Sequence, residues 1–157
     1  MTPGALDKLY REHGHAVLRR ARRLLRNDDD ARDVMQDVFL YIFKNPERFD
    51  ARSSIATYLY AATTHACLNR IRDGKTRTQL VAIEHAGRSS LAPATGELRA
   101  LACEILAELT DEEAALAVYL YCDELTHEEI AELFGWSRRH VGNLATRLRR
   151  RVMERVA

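Results

Sequence analysis

Ala131, Gly135 and Val141 stand four and six residues apart within an apolar frame of Ile130, Leu133, Phe134, Leu144 and Leu148, a spacing with a specific steric cause. Two short helices that cross need a small residue on the first, a turn residue free to take φ > 0, and a β-branched anchor facing inward on the second. The segment from Thr126 to Arg151 supplies all three in order and reads as a helix-turn-helix. Ser137 is a good N-cap for its second helix. That helix turns Arg138, Arg139, His140, Asn143, Thr146 and Arg147 toward whatever lies opposite, so hydrogen-bond donors dominate the face.

A helical hairpin buried in a larger core is the other reading of this spacing, and charge decides between them. From Ser137 onward there are seven arginines (138, 139, 147, 149, 150, 151, 155) against one acid, Glu154. From Glu104 to Glu132 there are ten acids (104, 108, 111, 112, 113, 123, 124, 128, 129, 132) and no Lys or Arg. The formal net charge of +1 thus hides a dipole whose positive end gathers on and after the second helix, where phosphates would be met. DNA binding by the C-terminal part follows.

With 157 residues the chain can bury either one core or two small helical ones. Leu, Ala and Arg are abundant, there are only 7 Gly and 3 Pro, and β-branched runs are absent, which implies an all-α fold. No apolar run reaches the roughly 18 residues of a membrane span, and the N-terminus is polar, so a cytoplasmic protein without membrane insertion is expected. Cys67, Cys103 and Cys122 form no Cys-x-x-Cys pair and read as reduced, half-buried helix residues. His13 and His15 do not share a helical face, so no metal site and no cofactor is expected. Phosphate loops, His-Glu-x-x-His and nucleophile elbows are all missing, which points to binding rather than catalysis.

In chain order, Leu6 to Leu25 reads as a first helix, interrupted at Gly14. Its arginines 19, 20, 22, 23 and 26 are either a solvated face or a contact for acids or nucleic acid. Asn27 to Asp30 can cap a second helix, running from about Ala31 to Lys44, with Val34, Met35, Val38, Phe39 and Ile42 inward. Opposite them lie Asp33, Gln36, Asp37 and Lys44 around Leu40, an apolar residue the core cannot use and a candidate partner contact. Asn45-Pro46 ends that helix, and a loop with Phe49 leads to another from Ser54. Its apolar face turns by half a revolution near His65, so it is buried on two sides or breaks there. Tyr58 and Tyr60, with Arg70, Arg72, Lys75 and Arg77 downstream, are either core aromatics beside a basic helix end or a surface for single-stranded or distorted DNA. Periodicity is lost from about Asp73 to Gly96, which reads as a flexible linker between two helical domains, 1–77 and 101–157, with 78–100 joining them. Glu97 to Leu109 is then helical, and Thr110 with Glu113 fits a capping box.

Asp30-Ala31-Arg32-Asp33-Val34-Met35-Gln36-Asp37-Val38-Phe39 and Leu125-Thr126-His127-Glu128-Glu129-Ile130-Ala131 resemble, in the right order, two signatures of the extracytoplasmic-function sigma factors of bacterial RNA polymerase. The resemblance covers nearly the whole chain. It implies a non-enzymatic subunit that binds core RNA polymerase and directs initiation at particular promoters. Asp33, Gln36, Asp37 and Leu40 would grip the β′ clamp helices, and the second domain would sit on the β flap. Phe49 and His65 match positions lining the pocket for a base flipped from the −10 element, beside Tyr58, Tyr60, Arg70 and Arg72. Arg138, Arg139, His140, Asn143, Thr146 and Arg147 would meet the −35 element of promoter DNA. An anti-sigma factor is an expected partner. Arg32 stands where Glu is usual, His65 where Asn is common, Gly142 where Lys or Arg is usual and Leu144 where Arg is usual, so one upstream contact is expected to be missing. A dimeric helix-turn-helix regulator acting without polymerase is the competing reading, and a sensor built on His13, His15 or the cysteines is a third.

Overall fold

The computed structural model describes residues 1–49, 53–74 and 93–157. Lys75, Arg77 and the expected linker segment 78–92 lie outside these. The described residues are all-α, and the chain divides into two compact units, Met1–Gly96 and Glu97–Ala157.

The first unit is a three-helix bundle of α1 (Pro3–Leu25), α2 (Asp28–Lys44) and α3 (Ile55–Arg72), each packed on the other two. A single 3-10 turn, Pro46–Arg48, follows α2. Thr2 caps α1 and Asn27 caps α2, whose first turn holds Asp28, Asp29 and Asp30 where the helix dipole favours acids. Val17, Ala21, Leu25, Val34, Val38, Phe39, Ile42, Leu59 and Leu68 fill the core. Each large side chain among them removes enough apolar surface from water to contribute about 2 kcal/mol. Gly14 does not interrupt α1. A Cβ placed there would rest 3.7 Å from the Tyr10 ring, an ordinary contact, and a lone glycine costs a helix only about 1 kcal/mol.

Likewise α3 is one unbroken helix. Thr63 and Thr64, which look like surface residues in the sequence, are fully buried and join Leu59 to Cys67, Leu68 and Ile71 in one face. Their hydroxyls donate to the carbonyls of Leu59 (2.6 Å) and Tyr60 (2.8 Å), so neither is left unsatisfied. Cys67 is buried rather than half-buried, and burial pushes its thiol up to about 12 despite Arg20 and Arg70 nearby. Cys103 is half-buried and Cys122 exposed.

The second unit comprises α4 (Pro93–Glu108), α5 (Asp111–Ala117), a π-helical turn (Val118–Cys122), α6 (His127–Phe134) and α7 (Arg138–Val156). Helix α4 begins before Glu97. Capping boxes start α5 (Thr110 with Glu113) and α6 (Thr126 with Glu129), the second absent from the sequence reading. The Thr126 backbone and hydroxyl donors hold the Glu129 carboxyl below its usual range. Gly135 takes φ 66° between α6 and α7, while Ala131 and Val141 are buried at the crossing, as the spacing requires. Leu133, expected in the apolar frame, is exposed, whereas Leu144 and Leu148 of that frame are buried beside Ala145.

Two glycines of this unit have opposite roles. Neither Gly135 nor Gly142 has an atom within 4 Å of an added Cβ, but only Gly135 has positive φ. Gly135→Ala is expected to destabilise by about 1–2 kcal/mol through left-handed strain. Gly142→Ala is expected to stabilise by up to about 1 kcal/mol through helix propensity. Urea melts of both variants would show the two signs; a shift in the same direction would refute the assignment.

Candidate functional site

Helix α2 presents Asp33, Gln36, Asp37 and Leu40 on its outer face, because the inner face already uses Val34, Met35, Val38, Phe39 and Ile42. Leu40 is 50% exposed, and Tyr41 beside it is also exposed. A groove of about 440 Å³ runs from Leu40, Gln36 and Phe39 to Pro3, Leu6, Asp7 and Tyr10 of α1. The Tyr10 ring meets Phe39 edge-on at 5.1 Å. Asp37 forms no ion pair among the described residues, whereas Asp33 lies 3.4 Å from Arg70. An aliphatic knob ringed by acids and an amide suits a basic helical partner surface.

The second group of predicted residues divides among three faces of α3. Phe49, after the 3-10 turn, meets Tyr58 edge-on at 5.6 Å. Burial raises the Tyr58 pKa, as does Tyr41. His65 and Arg72 follow Tyr58 at intervals of seven and share its side of the helix, His65 exposed and Arg72 half-buried. Tyr60 turns instead toward α1, where the Arg20 guanidinium covers its ring at 3.6 Å. Arg70 turns toward α2 and donates to buried Asp30 at 3.0 Å and to Asp33 at 3.4 Å. Phe49, Tyr58, His65 and Arg72 therefore form one surface, and Tyr60 and Arg70 serve others.

The outer face of α7 also divides. Ser137 accepts from the His140 backbone N–H at 3.1 Å and starts the helix. Arg138 is paired with Glu128 of α6. His140 packs edge-on against Trp136 at 5.3 Å and places Nε2 3.5 Å from Glu112 of α5. Thr146 donates back to the Gly142 carbonyl at 3.0 Å. Arg139, Asn143 and Arg147 are exposed and bond to no side chain of the described residues. At the far end Arg151 reaches Glu113 and the Glu108 carbonyl, and Arg155 reaches Glu104 and Glu108. Part of the cation excess is thus spent clamping α7 onto α4 and α5. Glu113 is only 1% exposed and accepts from Thr110 N–H through Oε2, while Oε1 has no hydrogen-bond partner.

Residues 9–77 match the family described as sigma-70 region 2, a match that takes in α2, α3 and most of α1. The RNA polymerase sigma factor YlaC of Bacillus subtilis is 28% identical over 92% of this chain and 88% of its own length. The ECF RNA polymerase sigma factor SigW of the same organism is 29% identical over 82% of this chain and 74% of its own. Residues 9–77 are thus a sigma-70 region 2, and the chain is similar along most of its length to RNA polymerase sigma factors, the ECF class among them. The solved structure of the sigma factor RpoE with the anti-sigma factor NepR, from Bartonella quintana, aligns with 14% identity over 96% of this chain and 95% of that chain, with a TM-score of 0.43. No helix among the described residues is long and apolar enough to cross a membrane, and no cluster of His, Cys, Asp and Glu among them could hold a metal.

Signals for three of these contacts were weak in the sequence. Asp30 and Arg70 are forty residues apart, Arg138 and Glu128 ten, and Arg20 and Thr64 forty-four, so no local period links them. Each becomes visible only when the helices are packed.

Proposed function

We infer that this chain is an extracytoplasmic-function sigma factor that binds core RNA polymerase through the outer face of α2, reads a −10 element with its first unit and a −35 element with α7, and helps to open the promoter. The observation that carries this reading is the exposed Leu40 among Asp33, Gln36 and Asp37, in a chain whose other unit holds a helix-turn-helix with outward arginines. A repressor needs only the second of these features. Leu40 would seat between side chains of the β′ clamp helices, with the acids steering toward basic neighbours.

Phe49, Tyr58 and His65 would receive the flipped base. Aromatic stacking, at about 1–3 kcal/mol per base, offsets an unstacking cost of a few kcal/mol. His65 offers one donor and one acceptor when neutral, a different pattern from an amide, so base preference at that position would differ from that of relatives with Asn. Arg72, on the same side of α3, would hold a phosphate. In the second unit Arg139, Asn143 and Arg147 would make the main −35 contacts, with Arg138, His140 and Thr146 beside them, while other surfaces of the unit meet the β flap. The first unit corresponds to the expected domain 1–77, and the second to the expected domain 101–157 extended to include the start of α4. An anti-sigma factor covering the α2 face would compete directly with polymerase.

Gel filtration of the full chain with bacterial core RNA polymerase tests the reading. Co-elution in a one-to-one complex is expected. Failure to co-elute, with binding of duplex DNA as a dimer, would replace it with the conventional regulator.

A further inference from the structure

A second cleft opens in the first unit between α1 and α3. It measures about 410 Å³ and is lined by His13, Arg19, Arg20 and Arg23 together with an apolar floor that includes Val17 and Leu59, with Tyr60 alongside. That volume lies within the range of about 300–1,000 Å³ in which small-ligand sites fall. No acidic side chain lines it. Arg20 is 9% exposed, fixed by its Nε donation to the Thr64 hydroxyl at 2.9 Å and by its seat on the Tyr60 ring. Arg19, by contrast, is exposed and bonds to no side chain of the described residues. A cleft walled by one sign of charge concentrates counter-ions, and its apolar floor has no use for a simple inorganic anion.

We propose that the α1–α3 cleft is a nucleotide-binding subsite, its apolar floor taking the face of a base and Arg19 and Arg23 taking the adjoining phosphate. The chemistry fits one unit of single-stranded DNA and also a free nucleotide. It deepens the reading above, since Tyr60 joins the cleft to the helix that carries Tyr58 and His65. Arg20 is a positioning residue: it holds the Tyr60 ring and keeps a fixed positive charge at the back of the cleft.

The test is fluorescence anisotropy of the full chain with labelled dT12, repeated with adenosine monophosphate as competitor and with a duplex of equal length. Arg19→Glu with Arg23→Glu is expected to weaken dT12 binding at least tenfold and to leave duplex binding unchanged. Arg19→Lys with Arg23→Lys should restore dT12 binding. In the version lacking charge, Arg19→Ala with Arg23→Ala, the salt slope should flatten by about 0.7, the contribution of one single-strand phosphate. Competition by adenosine monophosphate that depends on the same arginines would identify a free nucleotide as an occupant; its absence would leave the DNA strand as the ligand. Wild-type affinity and slope in the Glu and Ala variants would overturn the cleft. If Phe49→Ala and His65→Ala then still weaken dT12 binding, the −10 surface survives without it. If the wild type binds neither dT12 nor the nucleotide, the cleft is refuted, and the −10 surface is judged separately in the complex with core polymerase.

Discussion

Asp37→Arg is expected to abolish co-elution with core RNA polymerase while leaving the protein folded. Asp37 is exposed, forms no ion pair among the described residues, and stands one helical turn from Leu40. Placing a cation there costs the fold no more than about 0.5 kcal/mol, the usual limit for a surface change. At a basic partner surface it sets like charges together, which costs several kcal/mol, a loss of a hundredfold or more in affinity. Leu40→Ala should have a smaller effect, about 1–2 kcal/mol, because it removes a knob without adding repulsion. The measurement is the fraction of sigma factor bound on gel filtration, with a thermal melt to check folding. A well-folded Asp37→Arg protein that still co-elutes would move the polymerase contact away from α2.

The two faces on which these experiments rest were legible in the sequence for different reasons. The helix-turn-helix was visible because its steric needs fall on fixed positions: Gly135 has the positive φ, and Ala131 and Val141 are buried where the helices cross. The α2 face was visible because Leu40 breaks a clean 3.6-residue period. In α3 the period failed because Thr63 and Thr64 occupy core positions while hiding their hydroxyls on their own backbone, something residue type does not reveal. Long-range ion pairs were the hardest to foresee. Arg70 was grouped with DNA-binding residues by its charge alone, yet buried Asp30 needs a cation and Arg70 reaches it. Charge composition gives the sign of a surface, but packing decides which cations remain available to a ligand.

That distinction gives the second large effect. Replacing Arg139 and Arg147 together by alanine is expected to weaken binding to a cognate −35 duplex by about 2–6 kcal/mol, thirtyfold or more, at the usual 1–3 kcal/mol per arginine contact. Arg138→Ala should cost less than either single change. Arg138 must first leave Glu128, an exposed pair worth up to about 1 kcal/mol, before it can reach DNA. Glu128→Gln should consequently tighten duplex binding slightly and steepen its salt dependence, since it frees one more cation for phosphate. The measurement is anisotropy of the full chain on a duplex selected from random-sequence DNA, at several salt concentrations, with co-elution as the control for polymerase binding. If Arg138→Ala proves more costly than the double change, then Glu128 does not compete with DNA for Arg138. It would instead orient the guanidinium toward a base, and specificity would sit at the first turn of α7.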